Sequence, residues 1–109
     1  MRQVGEEFSQ VYDGKGKVLI PATTGDLTYS LVKYGGLEGK NIVGQGYDVF
    51  YYLGDRADEE QISDWFKKEK IAWLIPGKDT YYRLIEERTD WFELISELNG
   101  YKLYRVDLP

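Results

Sequence analysis

The chain of 109 residues contains neither cysteine nor histidine, and its only methionine is Met1. The two absences exclude disulfides, thiolate nucleophiles, imidazole bases and the usual zinc sites. Any chemistry would have to use carboxylates, lysine, tyrosine or hydroxyl groups. The sequence therefore predicts no catalytic set, no metal site and no cofactor.

Basic clusters and long apolar runs are also lacking. The net charge is −5, and the nearest candidate for a basic patch, residues 67–70, is interrupted by Glu69. A nucleic-acid partner is not expected, because phosphate binding needs a basic face. No apolar run approaches the roughly 20 residues that span a bilayer. We expect residues 1–109 to form a single soluble α/β domain, although a soluble domain cut from a membrane protein would look the same.

Thermolabile side chains are scarce, since asparagine occurs only at Asn41 and Asn99 while glutamate and lysine are abundant. That bias is typical of hyperthermophile proteins and predicts a thermophilic source.

Segments typical of helices and strands alternate through most of the chain. The spacing of apolar residues and the capping residues predict helices over 2–12, from Thr24 to Gly35, from Asp58 through residues 67–70, and from Asp79 to Glu87. Short apolar runs predict strands at 17–21, 41–44 and 71–75. The conformation of residues 45–54 is left unassigned.

The end of the chain predicts an antiparallel pair. Asn99 and Gly100 separate two alternating segments, and both residues tolerate the positive φ of a type I′ turn. Together with the helix and strand alternation, this predicts an α/β fold, a three-layer Rossmann-like sandwich with a mostly parallel sheet and a C-terminal antiparallel β-hairpin.

Polar residues follow each of the first three predicted strands. In such a fold the carboxyl ends of these strands meet at one rim, which is where open α/β sheets bind ligands. The helix N-termini there could hold an anion or the hydroxyl groups of a sugar. The candidate ligand-binding residues are Thr23, Thr24, Gly25, Asp26, Tyr47, Asp48, Lys78 and Asp79. Structural roles as helix caps and turn residues are an alternative explanation for polar residues at these positions.

Sequence motifs for nucleotide binding are incomplete. A dinucleotide site requires Gly-x-Gly-x-x-Gly after the first strand, where this chain reads PATTGD, and a Walker loop is absent. The rim aspartates Asp26, Asp48 and Asp79 leave open acid-base catalysis in a small hydrolase. A free-standing module that binds a small molecule or anion is a further alternative.

The aromatic residues divide into two groups. Trp65, Phe66, Trp73 and Tyr81 fall at predicted core positions. Adjacent aromatics at 47 and 50–52 cannot all face inward, so a sugar-stacking or protein-contact patch is an alternative to core packing there.

Four segments, in order, resemble one family. They are the strand ending KVLIP, the helix leading to YGGLEGKNIV, the stretch DEEQISDWFKKEKIAWLI and the closing FELISELNGYKLYRVDL. Over most of residues 14–107 they resemble the soluble C-terminal domain that follows the transmembrane helices in membrane glycosyltransferases of the dolichyl-phosphate-mannose protein mannosyltransferase type.

The resemblance implies a parent enzyme that transfers a sugar from a polyprenyl-phosphate donor on the outer face of the membrane. In that family the catalytic acid and the donor site belong to the membrane-embedded part, so no catalytic residue carries over to this chain. The implied role is a non-catalytic accessory domain on the extracytoplasmic face. Its implied partners are the transmembrane part of the same polypeptide and the glycan or acceptor. A free-standing module would instead be cytoplasmic.

Overall fold

The computed structural model describes residues 2–21, 25–44, 49–54, 56–77 and 79–109. The helices in these ranges are α1 (Arg2–Val11), α2 (Gly25–Lys33), α3 (Val49–Leu53), α4 (Glu59–Lys68) and α5 (Asp79–Glu87). The strands are β1 (Lys17–Leu19), β2 (Ile42–Val43), β3 (Ile71–Leu74), β4 (Phe92–Leu98) and β5 (Tyr101–Val106). Short 3₁₀ turns precede β2 and β4, at Gly39–Asn41 and Thr89–Trp91.

The five strands form one mixed sheet in the order β2-β1-β3-β5-β4. Strand β1 is parallel to both of its neighbours, with Leu19 opposite Val43 of β2 and Leu74 of β3. Strand β5 is antiparallel to both of its neighbours, β3 and β4. Two of the pairings are therefore parallel and two antiparallel.

The predicted fold class, a three-layer Rossmann-like sandwich with a mostly parallel sheet, is wrong. The sheet is mixed rather than mostly parallel, because β5 pairs with both β3 and β4 in antiparallel fashion and only two of the four pairings are parallel. Since β5 is antiparallel to both neighbours, β4 runs in the same direction as β3 but is separated from it. The parallel strands have only 2 to 4 residues, whereas those of the hairpin have 7 and 6. The hairpin thus supplies as many pairings as the parallel strands do.

The hairpin turn lies where the sequence predicts it. Asn99 and Gly100 both have positive φ, 51° and 92°, and Leu98 pairs with Tyr101 across the two-residue turn. Both angles suit a type I′ turn, whose twist matches that of the flanking strands. The prediction of an antiparallel hairpin at residues 92–106 is confirmed.

Apolar side chains cover both faces of the sheet. Along β3, Trp73 joins the cluster on one face and Leu74 the cluster on the other, as the two-residue period of a strand requires. The first cluster contains α1 and α2 side chains and the second contains those of α3, α4 and α5. The main members of the first cluster are Val4, Phe8, Val18, Leu27, Leu31, Trp73 and Leu103. The main members of the second cluster are Leu19, Val49, Ile62, Phe66, Leu74, Tyr81, Leu84 and Tyr104.

Helices α1 and α2 approach each other closely at Gly5. The backbone N–H of Gly5 donates to Ser30 Oγ at 2.9 Å. A Cβ on residue 5 would lie 2.2 Å from the Ser30 carbonyl oxygen, so only glycine fits this contact. Ser30 is 1% exposed, and its hydroxyl accepts from an N–H in the first turns of α1. The hydrogen bond fixes the two helices together and lets a polar side chain be buried.

Helix α4 begins with a capping box. Asp58 Oδ1 accepts from the Gln61 N–H at 2.8 Å, and Gln61 Oε1 accepts from the Asp58 N–H at 3.0 Å. Two otherwise unpaired N–H groups are thereby satisfied. Acids in the first turn and lysines in the last suit the helix dipole.

Candidate functional site

The carboxyl ends of β1 and β3 lie side by side at a topological switch point. The backbone pairing extends past the strands, since Ile20 N–H donates to Val43 O at 2.8 Å and Ile75 N–H donates to Leu19 O at 2.9 Å. Buried Pro21 and Pro76 follow directly. From there the chain continues into α2 on one face and α5 on the opposite face. This divergence is the arrangement that opens a crevice in α/β sheets.

The structure describes three of the eight predicted rim residues. Gly25 and Asp26 open α2, Asp79 opens α5, and all three are exposed. The other five, Thr23, Thr24, Tyr47, Asp48 and Lys78, lie outside the described residues. Each described aspartate stands in the first turn of a helix, where the dipole stabilises a negative charge. Their positions agree with the structural explanation that the sequence already offers.

The described part of the rim contains no cluster of acids. Within the residues that the structure describes, no group of three or more aspartates and glutamates is arranged to hold a metal ion. Asp26 and Asp79 start different helices that pack on opposite faces of the sheet. Asp48, the third member of the aspartate trio, is outside the described residues.

A groove that the sequence does not predict lies between the start of α4 and the last turns of α5. Its volume is about 470 Å³, and a smaller cavity of about 100 Å³ adjoins it. The two share Ala57, Ile62, Leu84 and Glu87 in their linings. The groove could not be predicted from the sequence, because its walls are about 25 residues apart in the chain. Three of its acids, Asp58, Glu59 and Glu60, are already explained as the N-cap and first turn of α4.

Arg88 lies at one end of this groove. Its Nη2 forms an ion pair with Glu59 Oε2, and its guanidinium carbon lies 5.7 Å from the centre of the Trp91 ring. Its Nε is buried and meets no hydrogen-bond acceptor among the residues that the structure describes. The guanidinium is thus held in place with one donor unused.

The outer surface of α2 carries aromatic side chains next to cations. Tyr29 and Val32 are 57% and 42% exposed. Lys33 Nζ donates to Tyr29 Oη at 2.8 Å and also lies over the ring of Tyr34. The hydrogen bond to Tyr29 raises the pKa of Lys33 above its ordinary value. Tyr29 and Val32 are one helical turn apart, so α2 presents two apolar side chains beside a cation on its outer face.

The predicted core aromatics are largely where the sequence places them. Phe66, Trp73 and Tyr81 are buried, and Trp65 is partly buried. In the segment left unassigned, residues 49–53 form α3, and Phe50 packs edge-on against Tyr81 at 5.0 Å. Tyr47 lies outside the described residues. Phe50 therefore contributes to core packing rather than to a surface patch.

No family model matches the chain, and neither a curated protein nor a solved structure is detectably similar to it. Among the described residues, no helix has the length and apolar character that crossing a membrane requires.

Proposed function

We propose that the chain is a non-catalytic accessory domain of a membrane glycosyltransferase that uses a polyprenyl-phosphate-linked sugar donor. One observation carries the proposal, namely the ordered series of segments that resembles the tail domains of such enzymes. The four segments coincide with β1, with α2 and β2, with α4 and β3, and with the β4–β5 hairpin. The resemblance thus extends over the framework of the sheet.

The distribution of polar groups favours an accessory role. The described rim carboxylates are exposed and lie in the first turns of helices, where they complement the helix dipole. In contrast, the exposed side of α2 offers Tyr29 and Val32 as a contact surface. The proposed partners of this surface are the transmembrane part of the same polypeptide and the glycan or acceptor, on the extracytoplasmic face of the membrane.

An immunoblot of fractionated source cells tests this proposal, using an antibody raised against the domain. We expect a band much larger than 12.7 kDa in the membrane fraction. A band near 12.7 kDa in the soluble fraction would contradict it. In addition, the purified domain should transfer no sugar from a lipid-phosphate donor, and unaided transfer would refute the non-catalytic role.

The switch point between β1 and β3 favours a second candidate, a free-standing module that binds a small molecule or anion. Two helices begin after the strands that meet at this switch point, and helix N-termini attract anions. Titration of the ¹⁵N-labelled domain with inorganic phosphate, nucleotides and simple sugars tests this function. We expect shifts of the Gly25, Asp26 and Asp79 amides, with Gly39 as an exposed control. Unchanged rim amides would exclude the module.

A further inference from the structure

The groove between α4 and α5 combines an apolar floor with an acidic border. The apolar residues in its lining are Ala57, Ile62 and Leu84. The border consists of Asp58, Glu59, Glu60 and Glu87, all exposed. An apolar side chain that entered the groove would lose contact with water along this floor.

The charges along the groove do not balance. Four carboxylates line it against one guanidinium, that of Arg88, which is already paired with Glu59. Glu60 and Glu87 stand on different helices and face the groove from both sides. A cation in the groove would therefore meet a negative potential from two directions.

Arg88 adds hydrogen-bond donors to the groove. Its buried Nε has no acceptor among the described residues, while its ion pair with Glu59 and its position over Trp91 hold the guanidinium in place. Arg88 lines the groove and its side chain is 33% exposed, so its other guanidinium N–H groups can donate to a carbonyl oxygen of an occupant.

We infer that the groove binds a short basic peptide segment, in which an aliphatic side chain is flanked by lysine or arginine. Such a segment supplies together the three groups that the groove requires. The aliphatic side chain covers Ile62 and Leu84, the flanking cations face Glu60 and Glu87, and a peptide carbonyl accepts from Arg88. This inference does not depend on the proposed function, because it concerns a different surface.

The test is an NMR titration of the ¹⁵N-labelled protein with the peptide acetyl-Lys-Leu-Lys-Leu-Lys-amide. We expect shifts of the amides of Ala57, Glu60, Glu87 and Arg88 and a Kd of about 1 mM or tighter. Replacing leucine by serine in the peptide, or lysine by glutamate, should remove the shifts. Unchanged groove amides, or equal binding of the acidic peptide, would overturn the proposal. Binding of N-acetyl-lysine amide as tight as that of the peptide would also overturn it, in favour of a small amine.

A pair of matched variants distinguishes binding in the groove from nonspecific attraction between the peptide and an acidic protein. Glu60→Gln with Glu87→Gln removes two charges from the groove, and Asp64→Asn with Glu86→Gln removes two from the same helices outside its lining. All four positions are exposed, so we expect both proteins to fold. The first variant should bind the peptide about three- to tenfold more weakly, and the second should bind it as the parent protein does. Equal weakening in both would refute a specific groove.

Discussion

Substituting Gly5 by alanine tests the close contact between α1 and α2. The new Cβ would lie 2.2 Å from the Ser30 carbonyl oxygen and 2.8 Å from Tyr34 Cβ, whereas ordinary contacts begin near 3.4 Å. Helix α1 would have to move away by about 1 Å, which would also stretch the hydrogen bond from Gly5 to Ser30. Overpacking of this kind lowers the free energy of unfolding by about 1–3 kcal/mol. The better helix propensity of alanine offsets about 0.5–1 kcal/mol of that loss. We expect a net loss of about 1–2 kcal/mol in the free energy of unfolding.

The assay is urea unfolding followed by tryptophan fluorescence and circular dichroism, with Gly25→Ala as the matched control. Gly25 is also helical, but a Cβ there would have no atom within 4 Å. The control should change the free energy of unfolding by less than about 0.5 kcal/mol. If Gly5→Ala proved as stable as Gly25→Ala, the close approach of the two helices would be wrong.

Three further predictions concern a turn, a cap and a partly buried phenol. Gly100→Ala should lower the free energy of unfolding by about 1–2 kcal/mol, because residue 100 has a φ of 92°; urea unfolding would show it, and an unchanged midpoint would contradict the type I′ turn. Asp58→Ala should cost about 1 kcal/mol in the same assay through loss of the capping box, whereas Asp58→Asn should cost much less, and equal losses would count against a capping role. Burial, the largest cause, raises the pKa of the Tyr12 phenol above 10.0. Its neutral form is therefore favoured in the folded state, and the stability it contributes should be present below pH 10 and lost as the pH rises through the folded pKa. In Tyr12→Phe the ultraviolet titration curve should lose amplitude above pH 10, and a loss of amplitude below that pH would refute this.

Local signals in the sequence predict the elements that depend on adjacent residues. The Asn99-Gly100 turn follows from the backbone freedom of two neighbouring residues, and the start of α4 follows from Asp58 and Gln61 within one helical turn. The five-residue helix α3 could not be predicted in this way, because it has adjacent aromatics and too few residues to establish a period.

Strand order depends on contacts between distant residues, which is why the fold class was wrong. The alternation of helices and strands correctly implies that β3 and β4 run in the same direction, but it does not determine which strand lies between them. The groove escaped prediction for a similar reason, since Glu60 and Glu87 belong to separate helices. The helix-start positions of Asp26 and Asp79 were easier to predict, because an acid in the first turn of a helix suits its dipole. Their ligand binding stays a prediction.

The position of β5 inside the sheet has a consequence for biosynthesis. Strand β4 pairs with β5 in the described structure, and β5 also joins the hairpin to β3. A nascent chain that has not yet extended to Val106 therefore carries β4 without its partner and β3 with an open edge. Such edges promote association between unfinished chains. The sheet is therefore complete only once residues 101–106 have left the ribosome, so this domain cannot assemble strand by strand as it is made.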